Sequence, residues 1–285
     1  MIGLSSSSPI LPSSHPPILP SSQVIMTPMR LPLLLCALST LGCAMQTSSA
    51  GQRDLYLLAG QSNMAGRGTV EADDRVPMAG IMMLDRTMTW VPAIDPVHFD
   101  KPSAGVGPGR AFAIAVHTAD ESRSIGVVPA AVGGSPISSW EPGALDPATK
   151  THPYDDALAR ARVAMRDGHF RAILWHQGEA DATPELSVLY ADRLRTLITR
   201  LRTELGDPSL PFVIGQLGQF PRSGWSAAKV RVDSAQRAVA ATMSGVSFVS
   251  SDGLHHRGDS LHFDSASARE LGRRYAAAYL ALSRH

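Results

Sequence analysis

The chain has 285 residues, 44% of them hydrophobic and 18% charged, with a formal net charge of +1. The apolar fraction suffices for a packed core and excludes a disordered polyelectrolyte, while the near-neutral balance lacks the basic excess of a nucleic-acid binder. Two cysteines are too few for a disulfide scaffold.

Residues 1–25 are rich in Ser and Pro and nearly repeat themselves, as Pro9-Ile10-Leu11-Pro12-Ser13-Ser14 and then Pro17-Ile18-Leu19-Pro20-Ser21-Ser22. Pro removes the donors that helices and ladders need, so this stretch reads as disorder, or as an extension ahead of a better start at Met26 or Met29. Residues 26–50 read as a targeting signal. Arg30 supplies a positive n-region, and Leu31 to Leu41 an apolar h-region too short to span a bilayer. Thr40-Leu41-Gly42-Cys43 resembles a bacterial lipoprotein signal with Cys43 as the lipidated residue; the rival is signal-peptidase cleavage near Ala50. Either reading predicts export, as a periplasmic or outer-membrane-anchored lipoprotein or as a secreted protein, with membrane contact only through the lipid. Cys36 and Cys43 are the only cysteines, so the domain expected at 51–285 has no thiol nucleophile.

Within that domain, apolar runs alternate with amphipathic segments. Strands are expected at Asp54–Gly60, Ser124–Pro129, Arg171–His176, Pro211–Gln216 and Val246–Val249. Helices are expected at Gly109–Thr118, Tyr154–Arg166, Pro184 to about Leu205, Trp225–Met243 and Ala266–Ser283. Such alternation implies a parallel sheet of about five strands covered on both faces. Residues 67–104 read as polar and irregular, and as a candidate lining for a substrate region.

Parallel sheets present their chemistry at the carboxyl ends of the strands, and the informative residues stand there. The first strand runs into Gly60-Gln61-Ser62-Asn63-Met64-Ala65-Gly66, which places Ser62 at the sheet edge. Alone, Ser62 or Asn63 would more simply cap a helix, and Met64 breaks the Gly-x-Ser-x-Gly elbow. The second expected strand runs into Ala131-Val132-Gly133-Gly134-Ser135, where paired glycines let backbone N–H groups approach a ligand. The next ends in Trp175-His176-Gln177-Gly178-Glu179-Ala180-Asp181, with Gln177 as an amide donor and Glu179 as an acceptor. Near the C-terminus Asp259 and His262 stand three apart, a spacing that lets a carboxylate hold an imidazole able to take a serine proton.

These four motifs, in this order, resemble the SGNH-hydrolase superfamily, and specifically its sialate O-acetylesterase-like branch, which includes carbohydrate esterase family 6. Gly105-Val106-Gly107-Pro108-Gly109 also fits that branch. The resemblance implies a flavodoxin-like three-layer α/β sandwich, no cofactor and no metal, and removal of acetyl from a sugar hydroxyl. Carried over by position, Ser62 would be the nucleophile, His262 the general base and acid, and Asp259 the orienting carboxylate. The N–H groups of Ser62 and Gly134 and the side chain of Gln177 would form the oxyanion hole. Gln61, Asn63, Ser135, Trp140 and Glu179 are read as supporting or substrate-binding residues, with Trp140 able to stack on a sugar ring. The partner implied is an acetylated carbohydrate of xylan or sialate type.

Gly258-Asp259-Ser260-Leu261 spells the string that names the related GDSL lipases. There its serine is the nucleophile near the N-terminus; here its position makes it coincidence. Three rival readings compete. A metal-dependent deacetylase would use His255, His256, Asp259 and His262, whose spacing matches no strong zinc pattern. A non-catalytic carbohydrate-binding protein would not need Ser62, Asp259 and His262 together. A lipid or short-chain acyl esterase on the same fold would, for a long chain, need an extended apolar groove.

Overall fold

The computed structural model describes residues 52–220 and 224–283. The Ser/Pro-rich stretch, the segment read as a targeting signal and Cys43 lie outside the described residues. Among the described residues, no helix is long and apolar enough to cross a membrane.

In chain order, β1 (Arg53–Gly60) is followed by a single helical turn, α1 (Ser62–Ala65), then β2 (Ile81–Leu84), β3 (Trp90–Pro92) and α2 (Pro108–Ala119). The chain continues through β4 (Ile125–Pro129), α3 (Pro153–Ala164), β5 (Gly168–His176) and the short α4 (Pro184–Ser187). It ends with α5 (Tyr190–Glu204), β6 (Phe212–Gly215), α6 (Ala227–Thr242), β7 (Val246–Val249) and α7 (Ser265–Leu282). The sheet order is β3-β2-β4-β1-β5-β6-β7. Every pairing is parallel except that of β2 with β3.

The five strands expected from the sequence are all present as the run β4-β1-β5-β6-β7. β2 and β3 extend this sheet out of a region read as irregular. Ile81-Met82-Met83-Leu84 is too short to show a period, and its identity as a strand comes from docking on the β4 edge, Ile81 opposite Ile125. A second difference concerns the helix expected from Pro184 to Leu205. It is two pieces, interrupted at the exposed Val188 and Leu189. The restart buries Tyr190, whose hydroxyl donates to the Gln177 carbonyl at 2.9 Å.

Side chains of β1 point alternately into two cores, as a pleat of period two requires. Leu55 and Leu57 join Trp175, Ile198 and residues of α3, α5 and α6; Tyr56 and Leu58 join Phe112, Tyr275 and the rest of α2 and α7. The chain therefore leaves β1 toward α2 on one face and leaves β4 toward α3 on the other. Adjacent strands whose continuations part in this way open a crevice at their carboxyl ends. The loops after β1 and β4 flank that crevice.

Gly60 closes β1 at φ +130°, and a Cβ there would run into the backbone of His176 on β5. The neighbouring Gln61 N–H donates to the His176 carbonyl at 2.8 Å. Gly60→Ala is expected to lower folding stability by about 1–3 kcal/mol, read as an earlier midpoint in urea unfolding; an unchanged midpoint would contradict this role for the glycine.

Candidate active site

Ser62 opens α1 directly after β1 and is largely buried. The turn is anchored below by Met64, fully buried in the core shared with α2 and α7. The apolar residue that breaks the elbow motif is thus the one that seats the turn. Gln61 fixes it laterally, its Oε1 accepting the N–H groups of Gly178 and Ala180 at 3.4 and 3.3 Å.

The loop before α7 brings His262 to this turn. His262 Nε2 lies 3.0 Å from Ser62 Oγ, and His262 Nδ1 lies 2.8 Å from Asp259 Oδ2. The other Asp259 oxygen accepts the N–H groups of Leu261 and His262 at 2.9 and 2.8 Å. Partial burial pushes the Asp259 carboxyl up, but these N–H donors and the imidazole outweigh it and hold the group at about 2. Asp259 is therefore a carboxylate across the ordinary pH range, and it fixes both the ring and the backbone that carries it. Ser260, by contrast, is exposed, and its N–H is held by His256 Nδ1 at 3.1 Å. Among the described residues, no group of three or more His, Cys, Asp or Glu is arranged to hold a metal ion.

Asn63 ties the Ser62 turn to the histidine loop. Its Nδ2 donates to the Leu261 carbonyl at 3.1 Å, and its Oδ1 accepts the Phe263 N–H at 3.1 Å, one bond on each side of His262. The same Nδ2 donates to Glu179 Oε1 at 2.6 Å, with His176 Nε2 3.6 Å from that oxygen. Burial pushes the Glu179 carboxyl up, yet His176 and Asn63 outweigh it and keep the group below its usual value. Asn63 and Glu179 thus support His262.

A cavity of about 500 Å³ opens at the relay, lined by Ser62, His262, Gly133, Gly134, Glu179 and Leu261, among others. Gly134 has φ +87°. Among the described residues, neither its N–H nor that of Ser62 has a protein acceptor. Both are free to receive a ligand oxygen.

Gln177, read as an oxyanion donor, and Ser135 and Trp140, read as supporting or substrate-binding, all belong to the wall rather than to the cavity surface. Gln177 is fully buried, and its Nε2 donates to Asp181 Oδ2 at 2.5 Å and to the Ser135 carbonyl at 3.2 Å. Its donors are spent on the wall, so it braces the Gly134 loop rather than offering a hydrogen to the cavity. Ser135 is sealed too, its hydroxyl donating to the Val132 carbonyl at 2.8 Å and accepting Trp140 Nε1 at 3.1 Å. Trp140 lies edge-on against Trp175, ring centres 5.0 Å apart, and is 1% exposed. The Gly-Gly loop turns it under the sheet edge, where no sugar can reach it. Conversely, Arg67, Lys101 and Ser103 line the cavity, and nothing local in the sequence singles them out of the polar stretch 67–104. Trp140→Ala is accordingly expected to cost about 3–5 kcal/mol of stability, as loss of a buried indole does. Trp140→Phe should leave KM for a sugar ester unchanged, and a rise of tenfold or more with the fold intact would restore the stacking role.

A family model described as carbohydrate esterase, sialic acid-specific acetylesterase matches residues 52–281. A protein described as a probable carbohydrate esterase from Arabidopsis thaliana is 34% identical over 248 residues, covering 79% of this chain and 90% of the relative. A solved Arabidopsis thaliana structure superposes with a TM-score of 0.71 at 31% identity, over 81% of this chain and 98% of that one. The structure of NanS gives a TM-score of 0.68 at 18% identity, over 83% and 99% of the two chains, and shares the fold. The family match spans every motif of the relay and the cavity, and the chain belongs to the carbohydrate esterase, sialic acid-specific acetylesterase family.

Proposed function

We propose that this esterase removes O-acetyl groups from carbohydrates through a Ser62–His262–Asp259 triad and an acetyl-enzyme intermediate. The observation that carries the reading is the unbroken relay from Asp259 through His262 to Ser62 Oγ, ending in a cavity beside two unengaged backbone N–H groups. In the first half-reaction Ser62 Oγ bonds to the acetyl carbonyl carbon while His262 Nε2 takes its proton. The N–H groups of Ser62 and Gly134 receive the oxyanion, each donor of this kind being worth about 3 kcal/mol. Collapse breaks the ester bond, and His262 returns the proton to the departing sugar alkoxide. In the second half, water attacks the acetyl-serine with His262 again as base, releasing acetate and restoring Ser62. Lys101 and Ser103 line the cavity and offer polar groups to the hydroxyls of a sugar leaving group. The description of the 34% identical relative supports the same substrate class. Export through residues 26–50, as read from the sequence, would carry such an enzyme to glycans outside the cell.

Ser62→Ala is expected to lower kcat for 4-nitrophenyl acetate by about 10³-fold or more, the loss typical of a missing nucleophile. The same variant serves as the blank when acetate release is measured over a panel of acetylated xylan, sialate and other glycans. Near-parental turnover by the variant would sink the proposal.

The pH dependence has a definite sign. Imidazolium cannot accept the serine proton, so protonation of the base lowers activity toward acid pH. Asp259 stays ionised down to about pH 2 and adds no second limb above that. A rate profile with one acidic limb is expected; a flat profile from mildly acidic to neutral pH would remove His262 from the role of base. Asp259→Asn, which keeps the shape and loses the charge, is expected to lower kcat by about 10³- to 10⁴-fold.

A further inference from the structure

Arg67 and Asp100 stand outside the four motifs and outside the relay, and both are nearly sealed from solvent, with side-chain exposures of 6% and 2%. Arg67 Nη2 lies 2.7 Å from Asp100 Oδ2, and that same oxygen accepts the Gly133 N–H at 2.9 Å. Arg67 Nη1 donates to the Gly66 carbonyl at 2.7 Å, just past α1. The Arg67 carbonyl accepts Arg257 Nη1 at 2.5 Å, and the Arg257 N–H donates to the His262 carbonyl at 2.9 Å. The ion pair thus touches the end of the nucleophile turn and the residue before Gly134, and the Arg67 backbone links it to the loop carrying His262.

The spacing around the pair is tight. A Cβ on Gly133 would meet both the Arg67 guanidinium and the Asp100 carboxylate, so only glycine fits between them and the cavity. Arg67 lines the cavity, and its Nη atoms donate to Gly66 and Asp100, which gives the guanidinium a holding role.

We propose that the Arg67–Asp100 pair is a positioning clamp for the oxyanion hole. The carboxylate fixes the Gly133 peptide, so that the next N–H, that of Gly134, faces the position of the developing negative charge. Arg67 is the ion-pair partner of the buried carboxylate and registers the Gly134 loop against the Ser62 turn. The clamp moves no proton and touches no substrate. It rests on the esterase reading above.

The test uses the full chain with 4-nitrophenyl acetate. Asp100→Ala is expected to lower kcat by about 10²-fold, the cost of a misplaced donor, with KM within about threefold and the midpoint of the pH profile unmoved. Asp100→Asn keeps an acceptor for Gly133 and should lose only about tenfold in kcat, with the parental KM and midpoint. An Asp100→Ala protein with kcat within about threefold of the parent overturns the clamp. So does a loss carried by KM or by a shifted midpoint, or an Asn variant no better than the Ala variant. Should Asp100→Ala fail to fold, Asp100→Asn decides alone, and parental kcat in it overturns the clamp. A parent chain without esterase activity overturns the esterase reading and this one together, whereas an active parent with indifferent variants overturns only this one.

Discussion

The approach of His262 Nε2 to Ser62 Oγ at 3.0 Å joins two residues 200 positions apart. Such a contact has no local cause. It requires β1 to end beside β5 at the sheet centre, and it requires the loop before α7 to fold back over that end. Each supporting bond meets one of these needs. Met64 and Gln61 fix the serine from below and from the side, while Asp259 and Asn63 fix the histidine from its own loop and from the turn. The residue after His262, Phe263, is buried and packs edge-on against Phe220 and His176.

Charge at this end of the sheet is buried but never isolated. Glu179 is flanked by His176 and Asn63, Asp100 by Arg67 and Gly133, and Asp181 by Gln177 and the Ile137 N–H. Burying a carboxylate without partners is costly, and pairs of this kind add little net stability even when well made. What they provide is a single arrangement. An apolar filling would leave the three loops free to slide, whereas a carboxylate that accepts one particular N–H does not.

Much of this architecture was legible in the residues. Five parallel strands, their flanking helices and the motifs at three strand ends are marked by apolar runs followed by Gly, Ser or Asn, because a buried parallel strand must end where the chain meets solvent. Asp259 and His262 were legible because their contact is local. Signals failed where the determinant was tertiary. β2 is four residues long and is a strand only because β4 offers an edge. Trp140 reads like a surface aromatic after a glycine turn until the turn's direction is known. Gln177 carries the right donor at the right motif, yet Asp181 four residues on, buried beside it, draws that donor inward. Arg67 and Asp100 sit 33 positions apart in polar sequence, and only the fold brings them together.

Asn63, adjacent in sequence to Ser62, grips the histidine loop on both sides of His262. The reference frame of His262 is therefore mounted on the turn that carries Ser62. Thermal displacement of β1 or α1 carries both partners in the same direction, and their separation is insulated from breathing of the sheet. The relay behaves as a self-aligning joint, with Asn63 holding the Ser62 turn and the His262 loop in one frame.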